Sequence, residues 1–151
     1  MRTINRKIVG AFIFSSDDKI LLGHNKKGGT YQGMLVIPGG GIEEGETELE
    51  AVKREILEET GVNLASATIT QLDNVATGES EKTLKDTNEV VLMKMQFFDF
   101  TAKLNETADQ VSLRFDDDFG DAQWYSAEEL RNAQIGPNTK LTLQKLGFLA
   151  A

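Results

Sequence analysis

Apolar residues cluster early in the chain at Ile8 to Phe14 and Ile20 to His24, separated by the polar Ser15 to Lys19. Both clusters are rich in branched or aromatic side chains and predict a β-hairpin. A glycine-rich stretch runs from Gly28 through Gly33 to Gly39-Gly40-Gly41, with Pro38 inside it. Three glycines after a proline argue against a strand interior and for a sharp turn. Leu49, Val52 and Ile56 then recur at spacings of three and four, the period of an amphipathic helix. Thr47 with Glu50 forms a capping-box pattern at its start, and Gly61 supplies the stop. Further on, Thr68 to Val75 reads as a strand, the polar Thr77 to Asn88 as a mobile loop, and the apolar Val90 to Phe100 as another strand. A short strand at Gln123 to Tyr125 precedes a helix starting near Ser126, capped by Glu129, and a last helix from about Asn138 to Phe148. Strands and helices intermix without regular β-α alternation, which predicts an α+β fold with helices packed on a central mixed sheet.

The chain has 151 residues, a length that fits one domain over 1–151. Absence of cysteine excludes a disulfide framework, a thiolate zinc site and a cysteine nucleophile, and is compatible with the cytoplasm. The basic Met1 to Lys7 followed by an apolar run superficially resembles a signal peptide. That run is short, however, and meets Ser15-Ser16-Asp17-Asp18 with no small-residue cleavage site, so a buried first strand is expected. No segment is long enough to span a membrane. The net charge of −8 would repel a nucleic acid polymer, whereas a bound metal and a local basic patch can still hold a small anion.

Chemistry concentrates in residues 40 to 62, GGIEEGETELEAVKREILEETGV. Glu55, Glu58 and Glu59 stand at i, i+3 and i+4 and share one helical face. They occupy the last turn, where the helix dipole disfavours negative charge. Like charges at i,i+4 cost a further ~0.2–0.5 kcal/mol per pair, which Arg54 offsets only in part. An arrangement that opposes local stability suggests a cation, and oxygen-only ligands suit Mg²⁺ or Mn²⁺ better than Zn²⁺. A solvated acidic face is the plainer alternative for a glutamate-rich helix.

The wider spacing resembles the Nudix box at every specified position: Gly40, Glu46, Arg54-Glu55-Ile56, Glu58-Glu59 and Gly61-Val62, with Pro38-Gly39 ahead. This resemblance implies a Nudix-type α/β/α sandwich in which the segment forms a loop–helix–loop. It further implies a Mg²⁺-dependent hydrolase of a nucleoside diphosphate linked to another moiety. Carried over by position, Glu55, Glu58 and Glu59 would be metal ligands together with the Gly40 carbonyl. Arg54 would orient a glutamate, and Glu55 or Glu58 would act as general base. Glu46 would more often support the loop than touch metal. Gly39 and Gly41 would let the backbone approach substrate and metal closely.

Outside the box, His24, Lys26 and Lys27 form a small basic patch that could contact substrate phosphates or merely end a strand in solvent. Asp116-Asp117-Asp118 and Glu89 are candidate additional acids, with a charged surface as the alternative. Trp124 reads as packing, as do at least two of Phe97, Phe98 and Phe100, while one of these phenylalanines could stack on a base. Pro137-Asn138 resembles the branch that removes oxidised purine nucleotides, where the Asn reads the base; Asn138 is also a good N-cap. Leu35 departs from many triphosphate-directed members, which carry Trp there. The expected activity is nucleoside triphosphate pyrophosphohydrolysis, with oxidised nucleotides as candidate substrates and a homodimer as the candidate assembly. The alternatives are an ADP-sugar or dinucleoside polyphosphate hydrolase, or a non-catalytic nucleotide-binding module.

Overall fold

The structure, a computed structural model, describes residues 1–25, 32–114, 119 and 121–151. Strand β1 (Arg2–Phe14) carries both layers of packing. Its second half, Val9 to Ile13, is buried on both faces, which is why it reads as a continuous apolar run instead of an alternation. Val9, Ala11 and Ile13 pack into one core with Ala51, Val52 and Ile56 of helix α1 (Glu48–Thr60). Phe12 packs into a second core with Ile20 and Leu22 of β2 (Ile20–His24) and Leu143 of the closing helix α2 (Pro137–Lys145). One helix thus covers each face of the sheet, giving the expected α/β/α sandwich.

The remaining strands are β3 (Leu35–Val36), β4 (Gly39–Gly41), β5 (Thr68–Thr83), β6 (Val90–Lys103) and β7 (Gln123–Tyr125). The sheet order is β3-β2-β1-β6-β5, with β4 on β1 and β7 on β2. β1 and β6 run parallel from the Arg2–Val91 pair to the Phe14–Lys103 pair, while β5 and β6 are antiparallel. The sheet is therefore mixed. No helix among the described residues is long and apolar enough to cross a membrane.

Four expectations change. The polar segment expected as a mobile loop from Thr77 to Asn88 is strand as far as Thr83, paired residue by residue with β6. Backbone pairing holds it there, and because this end of the sheet faces solvent it needs no apolar alternation. Gly39-Gly40-Gly41, expected as a sharp turn, is also a strand, paired antiparallel with Ile8 to Gly10. The helix expected near Ser126 is a run of turns, although Ser126 and Glu129 form both capping-box bonds. That segment has little length to grow, because Ile135 bridges to Leu35 and Gly136 donates to the Leu35 carbonyl at 2.9 Å. Finally, Asn138 is not the cap of α2; Gly136 holds that place, with Pro137 in the first turn.

Helix α1 has the ends its residues call for. The Thr47 side chain accepts from the Glu50 N–H at 3.1 Å, and the Glu50 carboxylate accepts from the Thr47 N–H at 3.0 Å. Gly61 closes the helix with φ of 77°, its N–H donating to the Leu57 carbonyl. A Cβ there would adopt a left-handed conformation and lie 3.0 Å from the Arg114 Cβ. Thr47→Ala should lower stability by about 1 kcal/mol in urea unfolding. Gly61→Ala should cost at least ~1–2 kcal/mol from the backbone alone.

Candidate active site

Arg54 organises the acidic end of α1. Its Nε and Nη2 donate to the two oxygens of Glu46 at 2.7 and 2.8 Å, a bidentate pair. Nη1 donates to Glu55 at 3.1 Å and to Glu58 at 3.2 Å, while Nη2 also reaches the Gly41 carbonyl at 3.0 Å. Glu43 stands 3.6 Å from Nη1. Glu46 additionally accepts from the Glu43 N–H at 2.8 Å, so it supports the loop, as expected. These bonds, chiefly that from Arg54, hold the Glu46 carboxyl well below its ordinary 4.5, at about 2. The Arg54 guanidinium is raised in turn, first by Glu46.

The glycine strand follows from close approach. β4 lies antiparallel against β1, with Gly39 opposite Gly10 and Gly41 opposite Ile8. A Cβ at Gly39 would strike the Val9 carbonyl, and one at Gly40 would strike the Glu55 carboxylate. Only glycine lets this segment pair with the sheet on one side and receive the helix acids on the other. Glu59, 5% exposed, accepts the Gly39 N–H at 2.7 Å and so ties the end of α1 to β4.

Glu55 and Glu59 thus border β4, and Glu58, 56% exposed at its side chain, joins them through Arg54. Among the described residues no three His, Cys, Asp or Glu side chains already converge around one cation position. The donors are nonetheless all hard oxygens, with Glu58 free to turn on its exposed side. That chemistry fits Mg²⁺.

On the opposite face of the sheet from α1 lies a cleft of about 560 Å³. Its floor is made of Ile8, Gly10 and Phe12 of β1 and Met95, Phe97 and Asp99 of β6. Pro38 and Gly39 border it, which brings it to the edge of the acidic site, and Asn25, Pro137 and Asn138 stand around it. Among the residues singled out by sequence, Gly39, Phe97 and Asn138 come to this cleft. Gly41 instead faces the Arg6 guanidinium, and His24 lies 3.8 Å from Asp121, outside the cleft lining. Lys26, Lys27 and Asp116 to Asp118 lie outside the described residues. Glu89 is committed elsewhere, accepting two bonds from Arg2 at 2.8 and 3.1 Å. Phe100 is core, Phe98 packs partly against it, and Trp124 is packing as expected.

Sequence reasoning missed Arg6, Asn25 and Asp99. The signal for Asp99 was present, since it is the one acid within the run Phe97-Phe98-Asp99-Phe100. Burial pushes its carboxyl from an ordinary 3.8 up to about 6.

Because the Glu46 carboxyl is lowered by folding, its contribution to stability is full above about pH 4.5 and is lost as pH falls towards about 2. Acid titration of unfolding should therefore show Glu46→Gln less stable than the parent near neutrality. The gap should narrow through that window.

The NUDIX domain family pattern matches residues 4–146. Nucleoside triphosphatase NudI of Enterobacter sp. (strain 638) is 30% identical over 125 residues, spanning 80% of this chain and 82% of that protein. NudI of Escherichia coli (strain K12) is 32% identical with the same coverage. Among solved structures, the E. coli dihydroneopterin triphosphate pyrophosphohydrolase superposes with a TM-score of 0.68 at 15% identity, covering 92% of each chain. The NUDIX domain of Shewanella oneidensis NrtR, complexed with ADP ribose, gives 0.67 at 19% identity, covering 95% of this chain and 87% of that one. These two likenesses speak for the fold. With the box intact on α1 and the family pattern running along nearly the whole chain, the protein belongs to the Nudix hydrolase family.

Proposed function

We propose that the protein is a Mg²⁺-dependent nucleoside triphosphate pyrophosphohydrolase. As a Nudix hydrolase it acts on phosphorus-containing anhydrides. The observation that carries the finer reading is the meeting of two features at Gly39: the acids of α1 on one side, through Glu59, and a cleft of about 560 Å³, with room for a nucleobase, on the other. The resemblance to proteins named nucleoside triphosphatase, over 82% of their length, points the same way.

In this reading Glu55, Glu58 and Glu59 hold the divalent ion with the Gly40 carbonyl. When bound, the ion neutralises diphosphate oxygens and acidifies the attacking water. Arg54 holds Glu55 and Glu58 to one nitrogen, Nη1, and so orients both before substrate arrives. Glu58 is the more exposed of the two and takes the proton from water as it attacks phosphorus in line. Arg6, whose guanidinium lies over Gly41, the residue whose carbonyl Arg54 holds, supplies positive charge to the departing phosphates. The cleft receives the base, with Phe97 as an aromatic surface and Asn138 at the rim.

Nucleoside triphosphate with Mg²⁺ should yield monophosphate and pyrophosphate, identified by mass; diphosphate with orthophosphate would overturn the reading. Glu58→Gln should lower kcat by roughly 10²–10⁴-fold while the protein stays folded. Mg²⁺ should raise the Tm of the parent, because a ligand that binds only the folded state stabilises it. Glu55→Gln with Glu59→Gln should abolish that rise.

A further inference from the structure

The part of the cleft floor made by β1 and β6 is apolar except at one point; Thr77, Glu79 and Ser80 of β5 line the cleft further along, with Glu79 3.8 Å from Lys94 Nζ. Ile8, Phe12, Met95 and Phe97 supply hydrocarbon and ring surface, and Asp99 stands among them. The parallel register sets Asp99 beside Gly10, two residues along β6 from Phe97 and on the same face. A Cβ at Gly10 would lie 3.1 Å from Asp99 Oδ1 and 2.7 Å from Ile37 Cδ1, so the missing side chain leaves room for the carboxylate. Among the described residues Asp99 makes no hydrogen bond and no ion pair.

An unpaired, largely desolvated carboxylate costs stability and is rarely kept without use. Its chemistry specifies what would satisfy it. Two carboxylate oxygens accept best from two donors side by side. Among the common bases only guanine offers that on its pairing edge, through N1–H and the 2-amino group. Adenine and cytosine each set an amino group beside a bare ring nitrogen, whose lone pair a carboxylate repels. Uracil flanks its single N–H with two carbonyls.

We propose that Asp99 is the base-selecting residue of the cleft, accepting paired hydrogen bonds from a guanine-type base that stacks on Phe97. This rests on the cleft being the nucleotide site of the proposed reaction. Selection then requires no contact with the metal or the phosphates. The free protein carries a carboxylate without a donor, which its ligand supplies with two.

Product binding tests the assignment apart from catalysis. Calorimetry with GMP, IMP and AMP on the parent protein should rank them in that order, since IMP keeps N1–H but lacks the 2-amino group. Asp99→Asn should weaken GMP by about 10–100-fold, as loss of a charge-assisted bond would, and so collapse the GMP-to-AMP ratio. The same variant, without ligand, should melt higher than the parent at pH 8, whereas a structural acid would melt lower on removal. Equal binding of GMP and IMP by the parent would overturn the proposal without any variant. So would an unchanged GMP-to-AMP ratio in Asp99→Asn. If GMP is selected through Asp99 but no triphosphate is hydrolysed, the proposed reaction fails while the base assignment stands. If triphosphates are hydrolysed with no regard to base, the reverse holds.

Discussion

The guanidinium of Arg54 is the point on which the site depends. Four acids, Glu43, Glu46, Glu55 and Glu58, lie within salt-bridge reach of it, and a fifth, Glu59, sits one residue from Glu58. Without a cation these charges would repel one another, and Glu58 and Glu59 also stand in the last turn of α1, where the helix dipole opposes them. Arg54 uses its fork to bind Glu46 twice while a third nitrogen divides itself between Glu55 and Glu58. A lysine could supply the charge but not this geometry. The same group also holds the Gly41 carbonyl, so α1 is tied to β4 and through β4 to the central strand.

That chain of contacts explains how one sheet serves two kinds of chemistry. Charge is kept on the α1 side, where carboxylates meet glycine backbone. The other face of β1 and β6 is largely hydrocarbon and aromatic, suited to a base. Pro38 and Gly39 are where the two faces meet, because Gly39 gives its N–H to Glu59 and also borders the cleft. A substrate with an apolar planar end and an anionic end fits across that edge.

Much of this was readable from local signals. The start of α1 lies in the Thr47 and Glu50 side chains and its end in Gly61, so both ends are written within a few residues. The acids share a face by helical period alone. What could not be read is what depends on distant partners. Residues 77 to 83 look like a loop because nothing in their own pattern announces the β6 ladder that pairs with them. Residues 126 to 133 carry a sound helix cap, yet the chain is drawn into a bridge with Leu35 before a helix can develop. The glycine triplet looked like a turn because its pairing with β1 is a matter of clearance, visible only once Val9 and Glu55 are in place. Asp99 was conspicuous as an acid among phenylalanines, but its neighbours come from the parallel register with β1.

That register also bears on how the protein is born. The N-terminal strand finds its parallel neighbour some ninety residues later, beginning with Arg2 beside Val91. At roughly 5–20 residues per second, synthesis leaves β1 waiting several seconds for β6 to emerge from the ribosome. During that interval Ile8 to Phe14 has only β2 and then β4 to lean on, and one long edge stays open to other chains. The acidic loop and helix are synthesised in this interval, whereas the cleft floor cannot exist until Phe97 and Asp99 arrive. Synthesis therefore delivers the residues expected to grip metal before those expected to choose the base, and β6 brings both the floor of the cleft and the Phe100 and Ala102 side chains that close the core under α1.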